Sequence, residues 1–159
     1  MFRGVQSSTG SAYASVDYAE AGFSAGVWAI DLDDTGLEVD FYLGYDVELD
    51  NGLELGAGYT RYEYTDNASA GELSQDEFDV NFGIAGFGFG YVFGVNNDID
   101  GMNDQDYNVF TLSYEKDTCG VLVGYYDADD FDSTSAGELE YYWAEIATST
   151  EVSGINLGA

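Results

Sequence analysis

The sequence contains no histidine, no proline, one cysteine and only 3 lysines and arginines in 159 residues. Without histidine there is no Ser-His-Asp or Cys-His catalysis and no His-ligated zinc or haem. One cysteine closes no internal disulfide and supplies no cysteine-rich metal site. Against the few basic residues stand 31 Asp and Glu, for a formal net charge of -28. A surface this acidic repels phosphate, which excludes nucleic acid as a partner. No apolar run is long enough for a transmembrane helix. Met1-Phe2-Arg3-Gly4 opens without the charged segment and apolar stretch of a signal peptide. The expectation is that a leader has been removed or that the chain is a fragment.

What remains is rich in apolar residues (45%), aromatics (16%) and glycine (21 residues), too many apolar groups for a disordered acidic chain. The length suits a single domain over 1–159. Its dominant pattern is alternation with period two, the mark of strands with unlike faces. In Phe87-Gly88-Phe89-Gly90-Tyr91-Val92-Phe93-Gly94-Val95 every odd position is large and apolar, and three of the four even ones are glycine. Phe78, Val80, Phe82 and Ile84 alternate with Glu77, Asp79, Asn81 and Gly83, and the parity changes across Ala85-Gly86, as a two-residue hairpin requires. Val39, Phe41, Leu43, Tyr45 and Val47 alternate with Glu38, Asp40, Tyr42, Gly44 and Asp46. Asp50-Asn51-Gly52 is a strong turn signal, after which Leu53, Leu55, Ala57 and Tyr59 resume. The pattern predicts strands near 2–8, 11–19, 23–31, 37–48, 53–64, 76–84, 87–95, 106–116, 121–127, 138–147 and 150–159. This is an all-β chain of consecutive antiparallel hairpins.

Alternation alone does not say whether the apolar face meets a core or lipid; four features favour lipid. Short turns at Glu20-Ala21-Gly22, Asp50-Asn51-Gly52, Ala85-Gly86 and Asp117-Thr118-Cys119-Gly120 alternate with long polar loops near 65–75, 96–105 and 128–137, the asymmetry of outer-membrane barrels. Strands such as 37–48 and 53–64 exceed the soluble norm of about five or six residues and approach the roughly 9–11 that cross a bilayer at a tilt. Tyr18, Tyr59, Tyr62, Tyr64, Tyr107, Tyr114, Tyr125, Tyr126 and Tyr141 fall near strand ends, where tyrosine can form an interfacial girdle. Trp28 and Trp143 read as wall or girdle residues. The face opposite the apolar one mixes acid with glycine; glycine weakens a solvated strand but makes room inside a closed one for neighbours such as Tyr42 and Tyr62. The expected fold is therefore an up-and-down antiparallel transmembrane β-barrel of about 10–12 strands.

Phe2-Arg3-Gly4-Val5-Gln6-Ser7-Ser8, Ser15-Val16-Asp17-Tyr18, Gly22-Phe23-Ser24-Ala25-Gly26-Val27-Trp28-Ala29 and Glu38-Val39-Asp40-Phe41-Tyr42-Leu43-Gly44-Tyr45, followed by Asp50-Asn51-Gly52-Leu53, together resemble the TorF-like porin family of proteobacterial outer-membrane proteins. The likeness is most specific over 2–64 and looser from there to 159. It implies an exported outer-membrane barrel with a pore function and carries over no site residue. Single-chain bacterial barrels have an even number of strands and end in an aromatic strand, whereas the chain stops at Ile155-Asn156-Leu157-Gly158-Ala159. The expectation is that at least one closing strand lies outside it, or that the count is off by one.

If the apolar positions face lipid, the lumen is lined by Glu38, Asp40, Asp46, Glu54, Glu77, Asp79, Glu115 and Glu140, with Arg3 as its basic candidate. Carboxylates in a narrow watery lumen attract cations and repel anions, because low-dielectric walls focus their field. The plainer alternatives are a solvated polar face, or a lumen filled by its own side chains. In the loop 96–104, Asp98, Asp100 and Asp104 resemble an EF-hand start without the downstream bidentate Glu. They are weak candidates for Ca²⁺ or Mg²⁺, which would bridge the loop to lipopolysaccharide; a solvated loop is the simpler account. Asp127, Asp129, Asp130 and Asp132 form a similar cluster. No other cofactor is expected. Glu138 with Glu140, or Asp129 with Asp130, resembles a glycosidase pair, but such pairs arise by chance at this acidity, and no enzyme is expected. Cys119 falls in a turn and reads as incidental. The expected partners are the bilayer, lipopolysaccharide, small cations and further copies of the chain. Two alternatives stay open: a secreted acidic β-sheet domain that self-associates, and a lipocalin-type soluble barrel with its apolar face inward.

Overall fold

Runs of Val, Ile, Phe, Tyr and Thr at alternate positions favour extended backbone because branched and aromatic side chains pack on a pleated surface. The computed structural model describes residues 12–32, 36–65, 74–97, 105–128, 139–152 and 155–158. They form β1 (Tyr13–Glu20), β2 (Phe23–Asp31), β3 (Leu37–Glu48), β4 (Leu53–Thr65), β5 (Ser74–Ile84), β6 (Phe87–Asn97), β7 (Gln105–Lys116), β8 (Cys119–Ala128), β9 (Leu139–Val152) and β10 (Ile155–Gly158). Every strand pairs antiparallel with its neighbours in sequence, giving one up-and-down sheet in the order β1 to β10. Among the described residues β1 pairs with β2 alone and β10 with β9 alone, so the ladder is continuous but its two edges are not joined. The strand expected over 2–8 lies outside the described residues.

The hairpins close where the turn chemistry allows. Ala21-Gly22 and Ala85-Gly86 take positive φ at both residues (52° and 85°, 52° and 83°), the conformation whose twist matches that of the flanking strands. Each glycine carbonyl is then captured by the strand beyond: Asp46 N–H donates to Gly22 O and Glu115 N–H to Gly86 O, both at 2.8 Å. Asp117 (φ 54°) and Thr118 make the next turn, so Cys119 and Gly120, expected in it, instead open β8. β9 runs on to Val152, past the expected break near 148–149. Thr148 there is β-branched and pairs with Cys119, so it extends the ladder.

The two faces of the sheet differ sharply in exposure. Phe87, Phe89, Phe41 and Val80 are 55%, 45%, 48% and 49% exposed, whereas Asp40 and Glu77 on the opposite face are each 8% exposed and Tyr107 is 1%. A flat sheet would expose both faces alike. The sheet therefore curls with its polar face on the enclosed side, the reverse of a water-soluble sandwich or a lipocalin-type barrel. Around the outer surface the apolar band continues through Leu43, Phe78, Phe82, Ile84, Leu112, Val121, Val123 and Ile146, all exposed.

Candidate functional site

The enclosed face is organised in transverse rows set by strand register. One row runs Asp17, Gly26, Tyr42, Thr60, Glu77, Gly94 and Tyr107 across β1 to β7. It contains the same triplet twice: an acid, a glycine and a tyrosine on three successive strands. In each triplet the tyrosine lies flat over the glycine and its hydroxyl donates to the acid two strands away, Tyr42 to Asp17 and Tyr107 to Glu77. A Cβ at Gly26 would run into the Tyr42 ring, and one at Gly94 into the Tyr107 ring. Trp143 covers Gly124 in the same way. Glycine thus sits on these strands because an aromatic ring occupies the space of its side chain.

Glu77 is the hub near the long-loop end. Its carboxylate accepts from Tyr62 Oη at 2.8 Å, from Gln75 Nε2 at 3.1 Å and from Tyr107 Oη. Three donors on one buried carboxylate compensate its loss of water. Beside it the rings of Tyr107, Tyr126, Tyr141 and Trp143 follow one another with centroids 5.5, 4.9 and 5.8 Å apart, an aromatic wall across β7, β8 and β9. Val109 and Ala128 complete this buried patch. On β3, Glu38 is the register partner of Tyr64 on β4 and stands close enough to Asp40 for their charges to repel.

Toward the short turns the interior empties. A recess of about 600 Å³ is lined by Asp46, Glu54, Gly56, Asn81, Gly83, Gly88, Gly90, Thr111, Ser113 and Glu115. Small side chains leave the space, and Asp46, Glu54 and Glu115 stand exposed at it. The enclosed face is therefore filled by aromatic rings at one end and left open at the other, with carboxylates at both.

Of the expected lumen residues, Glu38, Asp40, Asp46, Glu54, Glu77, Asp79 and Glu115 share the enclosed face by register, with Glu38, Asp40 and Glu77 at the filled end. Glu140 does not. It pairs with Asp127, and with Tyr125 and Tyr142 it shares the apolar-face parity, where it accepts a 2.9 Å hydrogen bond from Tyr125. The aromatic run Tyr141-Tyr142-Trp143 occupies both parities, so alternation there gave no face. Register also corrects the girdle: Tyr62, Tyr64, Tyr107, Tyr126 and Tyr141 turn inward, as do Trp28 and Trp143, whereas Tyr18, Tyr59, Tyr114 and Tyr125 remain outside. Phe110, Leu112 and Tyr114 fix the outer parity of β7, and counting back from them would have turned Tyr107 inward. Arg3, the loop acids Asp98, Asp100 and Asp104, and also Asp129, Asp130, Asp132 and Glu138, lie outside the described residues. Among the described residues no group of three or more Cys, Asp or Glu is placed to hold a metal.

Sequence reading overlooked Arg61, which lies on the outer face above the apolar band. It reaches Asp76 at 3.2 Å, Ser74 Oγ at 3.2 Å and Glu63, while Tyr59 and Asn97 also donate to Asp76. Because the pair is half-exposed, Arg61→Ala is expected to lower unfolding free energy by less than about 1 kcal/mol, read from urea titrations of the folded protein. Compared with family models, with curated proteins and with solved structures, the chain finds no match.

Proposed function

We propose that the chain forms the wall of a bacterial outer-membrane β-barrel, a non-enzymatic pore whose acidic interior favours small cations. The observation that carries this reading is the inverted burial of the sheet: Phe41, Phe78, Val80, Phe87 and Phe89 stand exposed while Asp40 and Glu77 are enclosed. A continuous apolar band of this size is far beyond the patches that soluble monomers expose, and hydrocarbon is the medium that covers it at no cost in hydration. The resemblance of residues 2–64 to TorF-like porins points the same way, as does the grouping of short turns at one end of the sheet. The partners in this reading are the bilayer and its lipopolysaccharide. The solutes are small cations drawn to Asp46, Glu54 and Glu115 at the open end. The aromatic layer around Tyr107 narrows the path and keeps the conductance small.

Refolding into detergent and then into planar bilayers tests this. Heat-modifiable migration on gels is expected, together with a reversal potential in a salt gradient corresponding to a cation preference above about threefold. Anion preference would overturn the selectivity. Sedimentable polymers in plain buffer would replace the membrane reading with that of a secreted, self-associating sheet, and a monodisperse protein there would replace it with that of a soluble domain.

A further inference from the structure

Among the described residues, Asp40 is the one enclosed carboxylate whose environment does not account for it. Its residue is 92% shielded, and its Oδ1 has no hydrogen-bond partner. The contrast with Glu77 is sharp, since that carboxylate accepts three donors. Tyr62, the cross-strand neighbour of Asp40 on β4, spends its hydroxyl on Glu77, and Trp28, the neighbour on β2, pairs with it in register. The two basic residues described, Arg61 and Lys116, both stand on the apolar-face parity. A second acid, Glu38, lies two residues along the same face, paired in register with Tyr64. A buried anion beside another anion calls for a positive partner, and a buried acceptor left unmet calls for a ligand.

We propose that Glu38 and Asp40 form a binding site for a hard cation in the filled end of the interior, with Asp40 Oδ1 as a ligand atom. Carboxylate and hydroxyl oxygens make an all-oxygen donor set, which suits Ca²⁺ or an alkali cation and not a soft metal. Two carboxylates without a third give weak, reversible binding, with water completing the shell. That is the behaviour of a station on a conduction path, which must hold an ion briefly and release it. This role as a station rests on the pore reading; the binding itself does not.

The test uses Tb³⁺ as a luminescent stand-in for Ca²⁺ on the folded chain, excited where tryptophan alone absorbs. Trp28 beside Asp40 serves as the antenna. Expected are a Trp28-sensitised signal competed by Ca²⁺ and lost in Trp28→Phe, and an affinity about tenfold weaker in Asp40→Asn, with Glu140→Gln unchanged. Glu38→Gln, expected to weaken binding similarly, carries the test if Asp40→Asn does not fold. An unchanged affinity in these variants means that a proton or water meets the Asp40 oxygen, and it overturns the site. A protein that conducts no ions yet loses Tb³⁺ in Asp40→Asn keeps the site and loses the pore. One that conducts while its Asp40→Asn variant binds Tb³⁺ unchanged keeps the pore and loses the site.

Discussion

Gly94→Ala is expected to destabilise the folded protein by about 2–4 kcal/mol, while Gly120→Ala stays within about 0.5 kcal/mol. The two substitutions add the same methyl group to the enclosed face of neighbouring hairpins. At Gly120 the added carbon meets the Glu115 side chain at 3.4 Å, an ordinary contact beside an exposed carboxylate free to move. At Gly94 it meets the ring of Tyr107, which is fully buried and stacked on Tyr126. Its hydroxyl is tied to Glu77 and Gln75. The ring cannot retreat without leaving Glu77 short of a donor, so the cost combines overpacking with a weakened charge-assisted hydrogen bond. Urea titration of the detergent-refolded variants reads the difference. Tyr107→Ala in the Gly94→Ala background should recover part of the overpacking loss, giving non-additive coupling of about 1 kcal/mol or more. Equal midpoints for Gly94→Ala and Gly120→Ala would show that the ring does not lie where the row places it.

How far this could be read beforehand depends on whether the information is local. The strands and tight turns were legible because each is written in a few adjacent residues: Phe87 to Val95 states its two faces outright, and Ala85-Gly86 changes the parity. Orientation was legible as well, because glycine interleaved with acid has a use inside a curled sheet and little use outside one. The hub at Glu77 was not legible. Glu77, Gly94 and Tyr107 come together only when the registers of two successive connections are known, and a slip of two residues in either would keep Tyr107 inward but move it off Glu77. Glu140 failed for the opposite reason, since β9 carries aromatics on both faces and its own alternation is silent. Only the pairing of Tyr125 with Tyr142 assigns its face. Asp40 could be placed on the enclosed face from sequence, but its lack of a partner could not, because that depends on Tyr62 turning toward Glu77.

Register also supplies the sharpest test of which medium the sheet faces, through two adjacent residues on β5. Val80 stands on the outer face between Ala57 and Tyr91, in the body of the apolar band, and Asn81 stands on the enclosed face between Gly56 and Gly90. Arginine at Val80 would put a cation into hydrocarbon if the band is a lipid belt, at a cost of about 2–4 kcal/mol near the bilayer midplane. If the same surface meets water, the side chain is half-exposed already and the change should fall within about 0.5 kcal/mol. Arginine at Asn81 enters the acidic recess, where Asp79 and Asp46 are close, and should cost less than about 1 kcal/mol while reducing cation preference. Urea unfolding from lipid vesicles, with reversal potentials for the Asn81→Arg variant, separates the cases. A neutral Val80→Arg beside a costly Asn81→Arg would mean that the apolar face is wet and the polar face packed dry. The sheet would then owe its exposed phenylalanines to contacts with other protein, and the lipid belt would have no physical basis.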